Sequence, residues 1–551
     1  MGGSFNVAAH LPRQAGSQPD RPGVIAPAGR DRQDRPRYHQ LSYRQLEEDS
    51  SLVAQALSGL GIGRGTRTVL MVKPGLDFFS LTFALFKIGA VPVFVDPGMG
   101  IRNLGQCLAE AEPTAFIGIP KAHVARWLFG WARLSLRVLV TVGRRWGWGG
   151  HSLASLRAKT TRKQEFPPAE TAAAELAGIL FTSGSTGVPK GAVYTHGMFA
   201  AQVEMLRRTY AIEPGEVDLT TFPLFALFAP ALGMSAVVPD MDPTRPAHVN
   251  PRRILEAIEE FQCTNLFGSP ALLRRVGRFA AEQGVRLPSL RRVISAGAPV
   301  PVSVLETFSK LLAPGVEVFT PYGATEALPM CSIGSAAILQ ETRALSAQGA
   351  GTCVGRPVEP IGLHIIRISD EPIPAWSDEL LVPQGEIGEI VVRGPVVSPE
   401  YYRRPEMTAL HKIAADDGVI YHRTGDAGYF DEAGRVWFCG RKSERVITSS
   451  GTLFTTPCEG IFDVHPQVHR SALVGLGPRG QQQPVLCVEA EPGLTPAAGK
   501  KLAEELLSLA RSNPQTARIT AVLFHPGFPV DIRHNSKINR GELARWAAGK
   551  V

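Results

Sequence analysis

The segment Thr182-Ser183-Gly184-Ser185-Thr186-Gly187-Val188-Pro189-Lys190-Gly191 constrains this chain more than any other. It gathers hydroxyls, unhindered backbone N–H groups and one ammonium into a single loop, and those are the donors a polyphosphate needs. The apolar run Ala177-Gly178-Ile179-Leu180-Phe181 leads straight into it and reads as a strand. Val193-Tyr194 reads as a second short strand, followed by a helix whose Phe199, Val203, Leu206 and Tyr210 share one face. A surface linker is seldom held between packed elements with a Lys at its end, so the loop reads as a phosphate cradle. It is not a Walker-type P-loop, because Pro189 stands where that motif needs the Gly before its Lys.

The same alternation of short apolar runs, Gly-containing loops and helical periodicity recurs along the chain and argues for α/β layers. Val293-Ile294-Ser295 and Val316-Glu317-Val318-Phe319 read as strands ending in the turns Ala296-Gly297-Ala298-Pro299 and Pro321-Tyr322-Gly323-Ala324-Thr325-Glu326. Ligands of α/β sheets gather at such strand ends. Glu389-Ile390-Val391-Val392-Arg393-Gly394 and Val436-Trp437-Phe438-Cys439 read as strands of a β-rich subdomain. Beyond Gly440 the chain carries its own helix, capped by Thr495, opened by Pro496 and lined by Leu502, Leu506 and Leu509. The expected division is 1–440 and 441–551: a large N-terminal region of layered sheets and helices with a β-rich subdomain, then a small mobile α+β domain.

The chain has 551 residues, which allows roughly two to four folding units with cores of their own. Its seven cysteines are scattered and never spaced as CxxC, which points away from a disulfide framework or zinc site and towards a reducing cytoplasm. The opening Met1-Gly2-Gly3-Ser4-Phe5-Asn6 carries no apolar signal core. The uncharged stretch 219–239 is broken by Pro223, Pro230 and Gly233, so it reads as buried core and not as a membrane span. The net charge of +8 comes largely from arginine pairs such as Arg207-Arg208, Arg252-Arg253, Arg274-Arg275 and Arg291-Arg292. These mostly fall in amphipathic patterns and read as solvated helix faces, which disfavours nucleic acid and leaves attraction to anionic substrates or membrane surfaces open.

With the loop as anchor, further motifs follow in a fixed order: Gly297-Ala298-Pro299, Tyr322-Gly323-Ala324-Thr325-Glu326, Tyr421-His422-Arg423-Thr424-Gly425-Asp426, Gly440-Arg441-Lys442, His465-Pro466-Gln467-Val468 and Asn535-Ser536-Lys537-Ile538. In this order the chain resembles the adenylate-forming superfamily of acyl-CoA synthetases, luciferases and peptide-synthetase adenylation domains, from about Leu41 onward. The resemblance implies ATP and Mg²⁺ as cofactors. The phosphates would fall to Thr182, Ser183, Gly184, Ser185, Thr186, Gly187 and Lys190, and the adenine edge to Gly297, Ala298 and Pro299. Tyr322 would stack on adenine within the segment that holds Gly323 and Ala324, Thr325 would touch the α-phosphate, and Glu326 would hold the metal. Asp426 would bind both ribose hydroxyls, with Arg441 adding a contact at the hinge. Lys537, with Thr186 and Glu326, would be catalytic, and Ser536 replaces the family's usual Gly beside it.

The resemblance also implies chemistry. Attack of a carboxylate on the α-phosphate of ATP gives an acyl-adenylate, and the expelled pyrophosphate carries charge that Mg²⁺, Lys190 and the loop must neutralise. Phe225, Phe228 and Phe267 lie where the family builds its acyl pocket and suit a long alkyl chain. Thr448 stands roughly where many thioester-forming members carry Lys, in a hinge loop one residue longer than usual, which weakens the case for thioesterification. The stretches 221–250 and 458–475 most resemble a branch that adenylates a long-chain 2-alkyl-3-hydroxy acid and lets the β-hydroxyl close a four-membered lactone. The expected partners are that hydroxy acid and other enzymes of its pathway, without nucleic acid and without a transmembrane span. A long-chain fatty acyl-CoA ligase and a degenerate AMP-binding scaffold are the alternatives.

Overall fold

Aliphatic and β-branched runs become the strands of two large sheets with helices packed between and outside them, an α/β architecture. The computed structural model describes residues 5–161, 166–182, 189–222, 227–530 and 538–550. Among the described residues the first sheet runs His151–Ser152, Val138–Thr141, Ala115–Gly118, Arg67–Met71, Val91–Phe94, Leu176–Thr182 and Lys190–Thr195. All its neighbours are parallel except the last pair, an antiparallel hairpin whose connection is the Ser/Thr/Gly-rich loop.

The second sheet has a parallel half built from Pro22–Arg30, Ser235–Val237, Val217–Thr220, Asn265–Gly268, Arg292–Ser295 and Val318–Ala324. The hairpin of Val318–Ala324 with Ala327–Gly334 then carries it into antiparallel strands, Thr352–Pro357, Val436–Arg441, Ile420–Phe430, Gly388–Arg393 and Gly362–Ile366. This is the expected β-rich region. Between the two sheets lies the largest apolar core, and the helix Leu76–Lys87 is buried on almost every side there. A helix apolar all round is the form such a position demands.

The last part of the chain has cores of its own. Val468–Leu476 and Gln483–Ala490 form a hairpin joined in parallel by Ala521–Phe524, with Thr455–Phe462, Pro496–Ser512 and Arg540–Ala548 as helices. The Thr495 hydroxyl accepts from Ala498 N at 3.3 Å, Pro496 opens the helix, and Leu502 and Leu506 are fully buried.

Three expectations need correction. The strand read at 316–319 begins at Val318 and continues to Ala324, so only Thr325 and Glu326 remain to turn the hairpin. Arg292 is no solvated helix face: it lies in a central strand, 6% exposed, paired with buried Glu216 at 2.5 Å. Its burial is tolerated because both terminal guanidinium nitrogens are bonded, to Glu216 and to the Ala211 carbonyl. The Gly- and Trp-rich segment 146–151 has the composition of a loop, yet His151 already pairs as a strand with Val140. Within 219–239, Val217–Thr220 and Ser235–Val237 are buried strands, and among the described residues no helix is long and apolar enough to cross a membrane.

Candidate active site

The loop's two ends meet because Thr182 and Lys190 are register partners across the hairpin. Both line a cleft of about 2790 Å³ between the sheets. Gly297, Ala298, Pro299, Tyr322, Glu326, Asp426 and Arg441 line it as well, so residues scattered over some 260 positions of sequence share one cavity. Ser183, Gly184, Ser185, Thr186 and Gly187, together with Phe225 and Lys537, lie outside the described residues. Ile538, next to Lys537, lines the cleft.

Two glycines fit their places for steric reasons. Gly297 follows the strand Arg292–Ser295 with φ +97°, a left-handed conformation that favours glycine. A Cβ on Gly323 would fall 2.5 Å from Leu328 Cδ1 and 2.9 Å from the Ala327 carbonyl, so the tight hairpin admits no side chain there.

At one end of the cleft Asp426 is 5% exposed and lies opposite Arg441 in strand register. Arg441 Nη1 is 2.7 Å from Asp426 Oδ1 and donates to the Thr424 carbonyl at 3.2 Å. Tyr322 donates its phenol to Asp426 Oδ2 at 2.6 Å. Burial and the adjoining carboxylate hold that phenol well above its usual pKa, so it stays a donor. Oδ2 thus has a hydrogen-bond donor and Oδ1 an ion-pair partner, and each carboxylate oxygen retains a lone pair for a further donor.

At the other end Glu326 turns the hairpin and accepts from the Tyr401 phenol at 2.6 Å. Tyr401 is 3% exposed and its ring is flanked by two ammoniums, Lys190 Nζ at 5.1 Å and Lys412 Nζ at 5.7 Å from the centroid. Tyr194 donates to the Thr325 carbonyl at 2.6 Å and fixes the other residue of the turn. Lys190 lies 3.2 Å from His411 Nε2, while His411 Nδ1 is 3.1 Å from the Arg423 carbonyl. A carbonyl can only accept, so Nδ1 carries the proton and Nε2 offers its lone pair to the ammonium. Burial, reinforced by Lys190, pushes His411 down to about 4, in keeping with a neutral ring. Burial also lowers Lys190, opposed by the charge of Glu326.

Sequence reasoning missed Tyr401, His411 and Tyr194, the side chains that fix Glu326, Lys190 and Thr325. Their only local signals were the aromatic pair Tyr401-Tyr402 and the short helix Pro405–His411 that ends on the histidine. Phe228 and Phe267 line the apolar side of the cleft, at 8% and 9% exposure. Thr448, set against a thioester-forming Lys above, instead closes a small hairpin, its hydroxyl donating to the Gly451 carbonyl at 2.8 Å.

Comparison with known proteins gives three findings. The profile of the AMP-binding enzyme family matches residues 11–402. The olefin beta-lactone synthetase of Xanthomonas campestris pv. campestris is 50% identical over 548 residues, 98% of this chain and 97% of that protein, and its counterpart in Stenotrophomonas maltophilia is 49% identical over 552 residues, 99% and 98%. Among solved structures, the amide bond synthetase of Marinactinospora thermotolerans superposes with a TM-score of 0.80 at 23% identity, covering 98% of this chain and 99% of that one, a likeness of fold.

Proposed function

Because this chain belongs to the family of AMP-binding enzymes, we propose that it activates a long-chain 2-alkyl-3-hydroxy acid with ATP and closes the product to a β-lactone. A carboxylate oxygen of the acid attacks the α-phosphate and pyrophosphate leaves. The β-hydroxyl oxygen of the same substrate then attacks the acyl carbon, its proton is lost, and AMP leaves with the electron pair of the acyl–oxygen bond. The observation that carries this reading is the single cleft, polar at Lys190, Glu326 and Asp426 and apolar at Phe222, Phe228 and Phe267. The near half-identity to two olefin beta-lactone synthetases supports the choice of acid and acceptor.

In this reading Asp426 and Arg441 take the ribose, Tyr322 the adenine, and Lys190 with the hydroxyl loop the phosphates. Glu326 fits Mg²⁺: it offers a hard carboxylate at the cleft, and the ion ordinarily takes one or two carboxylates plus substrate phosphates. When bound, the ion would offset charge on the leaving pyrophosphate. Among the described residues no group of three His, Cys, Asp or Glu offers an alternative all-protein site. The unit 441–551 acts as a lid that brings Lys537 to the reacting phosphate.

The test is a reaction with ATP, Mg²⁺ and a 2-alkyl-3-hydroxy acid, followed by mass spectrometry with and without CoA. The expected product is the acid less one water, formed equally without CoA. Product that appears only with CoA would make the protein an acyl-CoA ligase instead.

A further inference from the structure

Between Glu112 and Glu165 the sequence holds ten Lys and Arg and no Asp or Glu. The structure turns much of this stretch into one surface. The helix Pro120–Phe129 and the turn after it expose Trp127 at 71%, Leu128 at 61%, Phe129 at 51% and Leu134 at 90%. Trp146, 56% exposed, is joined to the same helix by ring contacts: it meets Trp148 at 5.4 Å, and Trp148 stacks on His123 at 5.3 Å. Lys121, Arg133, Arg137, Arg144 and Arg145 are exposed in the same stretch, and among the described residues none of them has a carboxylate within 4.0 Å. Large apolar side chains left in water beside cations that no carboxylate neutralises mark an interaction surface.

We propose that this face docks on an anionic lipid bilayer, with Trp127, Leu128, Phe129, Leu134 and Trp146 entering the headgroup boundary and the arginines facing lipid phosphates. Aromatic and aliphatic side chains interleaved with Arg and Lys are the composition of interfacial anchors. The absence of acidic residues removes the repulsion that a negative surface would otherwise meet. The same helix also borders the large cleft: Lys121, Ala122 and Ala125, with Trp131 just beyond, line it. The docking face thus adjoins the cleft, so an acid held in the bilayer would have a short path into it. That delivery rests on the long-chain reading given above; the docking itself does not.

The experiment is co-sedimentation of the full chain with phosphatidylcholine vesicles, with and without phosphatidylglycerol, for the wild type, the triple variant Trp127→Ser, Leu128→Ser, Phe129→Ser, and the pair Arg144→Glu, Arg145→Glu. The wild type should bind only the anionic vesicles, more weakly as salt rises, and both variants should bind roughly tenfold less. Pyrophosphate exchange with a short, water-soluble 3-hydroxy acid should be unchanged in the triple variant, which shows that it folds. Failure of the wild type to bind anionic vesicles at low salt overturns the proposal, as does equal binding by the triple variant. A triple variant that changes only the sedimentation coefficient of the free protein reassigns the face to a contact between proteins. Vesicle binding without activation of any long-chain acid leaves the docking intact and overturns the proposed function instead.

Discussion

The two ends of the cleft handle charge in opposite ways. At the proposed ribose end one anion, Asp426, is matched by one cation, Arg441, and a phenol, and all three are anchored on neighbouring strands or the hairpin beside them. At the proposed phosphate end two ammoniums, Lys190 and Lys412, surround a single carboxylate, Glu326, with Tyr401 between them and neutral His411 as the direct partner of Lys190. The first is a neutralised pair, suited to a ligand of little local charge. The second is a desolvated excess of positive charge, stabilised when phosphate oxygens arrive. Recognition and chemistry are expected to separate along this line.

Glu326→Gln tests the division most severely. The amide oxygen can still accept from Tyr401, so the hairpin keeps its shape while the charge is lost. Loss of a preorganised electrostatic group is expected to lower kcat by about 10²–10³-fold, with AMP affinity, measured by calorimetry, within about threefold of wild type. A comparable loss of AMP affinity would break the comparison.

Asp426→Asn should do the reverse, on a smaller scale. The amide cannot satisfy both Arg441 and Tyr322 as an anion does, and hydrogen bonds to charged groups contribute about 1.5–3 kcal/mol. AMP and ATP should therefore bind roughly ten- to hundredfold more weakly, while kcat at saturating ATP changes little. A kcat effect larger than the binding effect would show that ribose contacts also align the reacting phosphate.

How much of this was legible in the sequence follows from the range of each contact. The strand before the Ser/Thr/Gly-rich loop and the Thr495 cap with its Leu502 and Leu506 stripe are local patterns, legible directly in the sequence. The pairing of Asp426 with Arg441 depends on strand register, which places residues 15 apart face to face; the motifs named both residues but not their contact. Tyr401 with Glu326 and His411 with Lys190 join positions 75 and 221 residues apart, and no periodicity announces them. The pair Arg291-Arg292 resembles a solvated face in sequence, and only the fold brings Arg292 to its buried partner Glu216. The exposed Trp127-Leu128-Phe129 run belongs to no motif, and only the fold shows that it faces water.

The smallest expected effect concerns Lys412, 7% exposed, with its ammonium 2.5 Å from the Ser398 carbonyl. Burial lowers it from 10.5 to about 7, against the pull of Glu326. The folded protein therefore releases this proton near pH 7 and the unfolded chain near 10.5. Between those values the unfolded state binds more protons, so this group's contribution to stability rises with pH, by at most about 1.4 kcal/mol per pH unit. It is at its least favourable below the folded pKa, where both states are charged and the burial penalty is carried in full. Lys412→Met removes the titration, so the stability of wild type relative to the variant should climb as pH is raised through this window, measured by urea unfolding of both proteins. Adding Glu326→Gln removes the one opposing charge and should start the climb at lower pH. A difference that stays flat with pH would mean that Lys412 remains charged at the phosphate end, making the positive excess there larger still.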